Sequence, residues 1–105
     1  MPTVDELYNE AEQLKEAGKL DEAAAKFEET VTQDPSFVLG HTALSVLYTR
    51  MGKSEQAIAH GIKACELEPN EAFNFTSLSV TFMRAGKIPE AEDAMARSRM
   101  LQQGR

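Results

Sequence analysis

The sequence predicts an all-α protein, six helices arranged as three helix-turn-helix units, and three observations carry that reading. The phrase "AGKLDEA" at 17–23 returns as "MGKSEQA" at 51–57 and "AGKIPEA" at 85–91, each time after 34 residues. Apolar residues recur at helical spacing on both sides of each Gly-Lys pair. Asp34-Pro35 and Glu68-Pro69 then close the first two units, because proline disfavours the α conformation of the residue before it.

The first helix is expected from Val4 to Ala17. It opens on Thr3 and Glu6 in capping-box spacing, with Leu7, Ala11 and Leu14 on one stripe. The second runs from Asp21 to Gln33, its apolar side built from Ala23, Ala24, Phe27 and Val31. Ser36 is read as the N-cap of a third helix over 37–51, and Ser54 as the cap of a fourth over 55–67. Asn70 is read as the cap of a fifth that reaches Ala85, and Pro89 sits in the first turn of a sixth that ends near Gln102. Gly18, Gly52 and Gly86 supply the left-handed residue that ends one helix. Ala23, Ala57 and Ala91 are small enough to let the next helix lie close against it.

A 34-residue period made of helix, turn and helix resembles the tetratricopeptide repeat (TPR). The family's leucine, small and aromatic positions on the first helix of each unit read Leu44, Ser45, Tyr48 and Leu78, Ser79, Phe82. Its alanine and aromatic on the second helix match Ala23 and Phe27, and its closing proline matches Pro35 and Pro69. Units two and three share nine identical positions in 34, where composition alone gives roughly two. The sequence departs from the pattern at Glu10, His41, Gly61, Met95 and Gln103. The resemblance implies a right-handed superhelical solenoid in one domain over 1–105, with repeats at about 4–37, 38–71 and 72–105. Glu10, Glu92 and Arg99 replace residues that are apolar in other units, so both ends of a three-unit stack are expected to be finished.

Composition narrows the function. The chain has 105 residues and a formal charge of −6, so a nucleic-acid partner is not expected, since phosphate binding draws on clustered Lys and Arg. The acidity belongs to the first third: residues 3–36 carry ten acids and three bases, 37–70 three of each, and 71–105 four acids and five bases. No apolar run approaches the roughly 18 residues of a membrane span. One cysteine, Cys65, and no N-terminal secretory pattern point to the cytoplasm.

Residues fit for chemistry are few. His41 takes a position where the resemblance puts a large core-facing side chain, so it is expected to be a buried structural histidine. His60 has Lys63 and Ala64 as its same-face neighbours, and no His or Glu spacing suits a metal. Cys65 is expected to be a buried, inert thiol. Glu28-Glu29 and Glu92-Asp93 read as solvated faces, and "NFT" at 74–76 falls inside a helix, where a glycosylation acceptor is coincidental. Gly61 interrupts a helix at about 1 kcal/mol relative to alanine. A close neighbour is expected to occupy that space, with Phe82 or Phe27 the candidates. No enzyme activity, metal or cofactor is expected.

The resemblance places a concave groove on the first helix of each unit and makes a protein-protein interaction adaptor the expected function. The groove-facing register gives Asp5, Tyr8, Glu12, Lys15 and Glu16, then Leu39, Thr42, Val46, Thr49 and Arg50, then Phe73, Thr76, Val80, Met83 and Arg84. The Lys, Asn and Arg clamp with which some TPR co-chaperones hold a carboxylate is absent: its places hold Tyr8, Glu12, Ala43, Phe73 and Thr76. The expected ligand is an apolar or amphipathic peptide or helix with basic residues at one end. The alternative is a scaffold that self-associates weakly through an apolar patch at Met95, Met100 and Leu101.

Overall fold

The computed structural model describes residues 1–104, and among them there are six helices: α1 (Val4–Glu16), α2 (Leu20–Gln33), α3 (Val38–Arg50), α4 (Ser54–Leu67), α5 (Ala72–Arg84) and α6 (Ile88–Gln103). All lie within about two residues of the sequence expectation. The packing order is α1 on α2, α3 on α4 and α5 on α6, with α2 against α3, α4 against α5, and α3 touching α5 directly. The extents are 41 × 29 × 19 Å, and the radius of gyration is 13.8 Å where a globule of this length has about 13 Å. This is the shape of a short, flat stack.

The three glycine turns are the same device. Gly18, Gly52 and Gly86 have φ of 81°, 77° and 79°, a region that costs other residues about 1–2 kcal/mol. At the first turn the Gly18 amide donates to Lys15 O and the Lys19 amide to Leu14 O. The same pair of bonds recurs from Gly52 to Thr49 and Lys53 to Tyr48, and from Gly86 to Met83 and Lys87 to Phe82. These are Schellman closures, which satisfy carbonyls orphaned at a helix end. Ala23, Ala57 and Ala91 follow each turn and are buried, so the paired helices approach closely.

Capping agrees with expectation at one end only. Thr3 Oγ1 accepts from the Glu6 amide at 3.1 Å and Glu6 Oε1 accepts from the Thr3 amide at 2.8 Å, completing the capping box. Ser36 does not cap α3: its amide and hydroxyl both donate to Asp34 Oδ1, and Phe37 is the N-cap residue. Ser54 is already inside α4, whose N-cap is Lys53. Asn70 gives way to Glu71, whose carboxylate accepts from the Phe73 amide at 3.3 Å. Before α4 the Schellman turn and before α3 the Asx-type turn has claimed the connecting backbone, and before α5 a turn is closed by the Glu71 amide donating to Glu68 O at 3.2 Å.

The core is unequal along the stack. Between α1 and α4 it is apolar, with Ala11, Phe27, Val31, Leu44, Leu47, Tyr48 and the buried alanines packed together. Around α5 and α6 it narrows to Cys65, Leu78 and Ala94, flanked by Phe75 and Phe82. Buried hydroxyls take over there. Ser45 and Thr81 lie 3.3 Å apart, Thr76 and Ser98 2.6 Å apart, and Ser79 donates to Ala91 O at 2.9 Å. Asn74, inside α5 and 5% exposed, donates to Glu68 Oε1 at 3.2 Å, so it serves the helix junction.

Two glycines mark tight contacts. A methyl at Gly61 would fall 2.9 Å from Leu78 Cδ1 and 3.0 Å from Ser45 Oγ, so the occupants are Leu78 and Ser45, not Phe82 or Phe27. The aromatics lie elsewhere because α5 presents Leu78, one turn before Phe82, to α4. Gly40 is tighter still: a methyl would fall 2.6 Å from Thr30 Oγ1 and 2.8 Å from Val31 Cγ1, both on buried side chains of α2. Overpacking costs about 1–3 kcal/mol, and alanine's helix preference offsets about 1 kcal/mol of it. Gly40→Ala is therefore expected to lower unfolding free energy by about 1 kcal/mol net in urea titrations, with Gly61→Ala lowering it less. A stability equal to or above wild type in both would show that the neighbours of Gly40 and Gly61 give way to an added methyl at no cost.

Candidate groove and polar clasp

The 34-residue register stacks equivalent residues of α1, α3 and α5. Tyr8, Thr42 and Thr76 form one row, Glu12, Val46 and Val80 the next, and Glu16, Arg50 and Arg84 a third. On α3 and α5 this face is open: Leu39 is 57% exposed, Val46 45%, Phe73 61%, Val80 48% and Met83 51%. Neighbouring helices do not cover these side chains.

A pocket of about 270 Å³ lies between α3 and α5. Seven of the groove residues expected from sequence line it: Val46, Thr49, Arg50, Phe73, Thr76, Val80 and Arg84. Ser77 and Thr81 join them. The groove-facing register transferred from the repeat did not include either residue, and Thr81 is buried while still lining the pocket. Thr49 donates to Ser45 O at 2.7 Å and Thr76 is bonded to Ser98, so these two threonines have internal partners.

The remaining groove residues are placed differently. Tyr8 is half-buried against Phe27 and Phe37, edge-on at 5.5 and 5.7 Å between ring centroids. Burial and the nearby Glu12 carboxylate push its phenol above the usual tyrosine range. Glu12 is paired with Lys15 at 3.2 Å. Leu39 and Thr42 lie on α3 outside the pocket. Met83 faces a second hollow, shared with Met95, Glu92 and Arg99 between α5 and α6. Of the expected self-association patch, Met100 is 61% exposed, while Met95 and Leu101 are half-buried.

The structure also assembles a cluster that helix periodicity could not show. His41, 6% exposed, donates from Nε2 to Pro35 O at 2.8 Å, which leaves its Nδ1 to accept from His60 Nδ1 at 3.0 Å. His60 Nε2 lies 3.3 Å from Glu28 Oε2, and Tyr48 donates to the same oxygen at 2.6 Å. The sequence expectation that His60 lacks a carboxylate neighbour is thus corrected. Only same-helix neighbours are visible in a sequence, and Glu28 comes from α2. Glu28 is likewise no freely solvated acid, whereas Glu29 is exposed and pairs with Lys26 at 3.6 Å.

This clasp joins α2, the turn after it, α3 and α4. Burial pushes His41 below the ordinary histidine range, reinforced by His60 and Lys63 and opposed by the Pro35 carbonyl and by Glu28. Burial, and then the bond to Glu28, raises Tyr48 far above the usual tyrosine range. Cys65, 6% exposed, has its thiol pushed up to about 11 by burial and Glu66, so it is a poor nucleophile at neutral pH. Among the described residues no group of three or more His, Cys, Asp or Glu is arranged to hold a metal. No helix among them is long and apolar enough to cross a membrane.

A histidine favoured neutral in the fold takes up its proton more readily when unfolded, so the stability it contributes is lost as pH falls below its unfolded value of 6.5. Urea unfolding of wild type at about pH 7.5 and about pH 5.5 is expected to show this loss. His41→Leu, less stable throughout because it orphans Pro35 O and His60, is expected to show a smaller drop between the two. An equal drop would remove His41 from the linkage.

No family model matches the chain, and no curated protein matches it. Solved structures do. A crystal structure of MamA superposes with a TM-score of 0.90 at 14% identity, covering 97% of this chain and 60% of that one. YrrB, described as a TPR protein with an unusual peptide-binding site, gives 0.88 at 16% identity over 98% of this chain and 53% of its own. The second TPR of Spaghetti (RPAP3), bound to the HSP90 peptide SRMEEVD, gives 0.85 at 17% identity, covering 94% and 92%. The chain therefore spans little more than half the length of MamA and YrrB. At these identities the likeness establishes architecture, and it agrees with the six helices and their 34-residue register: the chain has the tetratricopeptide-repeat fold, in three units.

Proposed function

We propose that the protein is a non-enzymatic adaptor that binds an apolar or amphipathic segment of another protein along the concave face of α3 and α5. One observation carries this reading: exposed Val46, Phe73 and Val80 line a formed pocket between α3 and α5, with Leu39 on α3 and Met83 on α5 exposed as well. Clustered apolar surface of this kind usually marks an interaction site. The pocket is smaller than the roughly 300–1,000 Å³ of small-molecule sites, which suits one or two anchoring side chains of a peptide. The peptide held by the RPAP3 repeats and the peptide-binding site described for YrrB support the same use of the fold here. The lone buried thiol of Cys65 supports work in a reducing compartment such as the cytoplasm.

A second reading is weak self-association through the third unit. It draws support from the hollow that Met83 and Met95 line, from the exposure of Met100 on α6, and from the dimer described for the Yersinia enterocolitica chaperone SycD, whose chain superposes with a TM-score of 0.84 at 19% identity. Its sign would be a molar mass that rises with concentration in light scattering.

The test of the adaptor reading is an affinity capture with wild type beside Phe73→Glu/Val80→Glu. Both side chains are exposed, so circular dichroism is expected to show equal helix content. Partners are expected to bind the double variant at least tenfold more weakly, equivalent to about 1.4 kcal/mol. A partner set unchanged by the double variant would move binding away from this groove.

A further inference from the structure

We infer that the occupant of the α3–α5 groove is a peptide carrying a carboxylate beside its apolar anchor, and that this carboxylate lies between Arg50 and Arg84. The inference rests on the groove reading above and adds the ligand's charge and direction to it. Arg50 and Arg84 are 34 residues apart, occupy the same place in the last turns of α3 and α5, and both line the pocket. Those two helices touch, so both arginines border the one pocket from neighbouring helices, each at its helix's C-terminal end.

Neither guanidinium makes an ion pair with a described carboxylate. In unit one the corresponding edge is self-neutralised, since Lys15 pairs with Glu12 at 3.2 Å. In units two and three the place of Glu12 is taken by Val46 and Val80, one turn before each arginine, so the helix offers no internal acid. In a chain of net charge −6, two cations lining one apolar pocket without a described ion-pair partner are a local exception. Carbonyls at the helix C-termini offset part of their charge, but they leave the guanidinium forks free for bidentate bonds to a carboxylate.

The ligand chemistry and its direction follow from the rows. A bulky apolar side chain enters between Val46, Phe73 and Val80, and an Asp, a Glu or a terminal carboxylate one or two residues away meets the arginines. Glu16, which stands on α1 in the row of the two arginines, repels that carboxylate and attracts basic residues. The acidic end of the ligand therefore lies towards units two and three, and any basic end over unit one.

The test uses three acetylated, amidated peptides, Gly-Leu-Leu-Xaa-Xaa-Gly with Xaa as Asp, Asn or Lys, titrated into 15N-labelled full-length protein at low salt. The Asp peptide is expected to shift amides at 46–50 and 73–84 and to bind about fivefold more tightly than the Asn peptide, with the Lys peptide weakest there. Arg50→Gln/Arg84→Gln is expected to abolish the gap, so that the Asp and Asn peptides bind the variant equally. Raising the salt is expected to narrow the gap in wild type. Equal affinity of Asp and Asn peptides at this site would overturn the carboxylate assignment while leaving the groove in place. An Asp preference that survives the double variant would overturn it too, by locating the carboxylate elsewhere. Shifts from none of the peptides at α3 and α5 would overturn both the assignment and the groove reading.

Discussion

The rest of the structure depends on one repeated constraint, the closure of each helix by a left-handed glycine followed by a buried alanine. The Schellman bonds fix where the chain reverses, and the alanine fixes how near the returning helix can come. Because the same closure recurs every 34 residues, α1, α3 and α5 are presented in one register. Equivalent residues then line up in rows across the stack, and a groove made of such rows needs no dedicated loop.

α3 shows what this arrangement asks of a sequence. An outer helix such as α1 needs one apolar stripe, and Leu7 and Ala11 supply it. α3 is pressed by α2, α4 and α5 and still contributes to the open face. Its apolar residues accordingly run all round, with Leu44, Leu47 and Tyr48 inward and Leu39 and Val46 outward. Apolar side chains left exposed on such a helix are an expense in water, of about 1 kcal/mol each for half a side chain. Burial against a ligand recovers it, and this links the packing of the helix to its proposed use.

The two junctions of the stack are built from different chemistry. Units one and two meet through Phe27, Val31, Leu44 and Leu47, tied at the edge by the His41, His60, Glu28 and Tyr48 clasp. Units two and three pack Cys65 and Gly61 of α4 against Leu78 of α5, while α3 and α5 meet through the small polar side chains of Ser45, Thr49 and Thr81, each bond contributing about 1 kcal/mol where it is buried. Hydroxyls occupy little volume, so α3 and α5 come close enough for Val46, Phe73 and Val80 to share one pocket. The polar junction and the apolar pocket are two sides of the same close approach.

The sequence by itself determined the helix count, the three glycine turns, the buried alanines and most of the residues that line the α3–α5 pocket, because all of these are written at fixed spacing within one chain segment or at the 34-residue period. It also indicated that His41 and Cys65 would be buried, since each stands at a position that is core-facing in the repeat. Tertiary structure decided whatever depends on meetings between segments. Glu28 reaches His60 only because α2 packs on α3 and α4, and Gly61 faces Leu78 instead of an aromatic because of how α5 is rotated against α4. The N-caps of α3, α4 and α5 were also settled by the turns before them, which put Phe37, Lys53 and Glu71 at the cap instead of Ser36, Ser54 and Asn70. Periodicity reports which face a residue occupies, but the partner on that face is fixed only by the rotation and offset of the next helix.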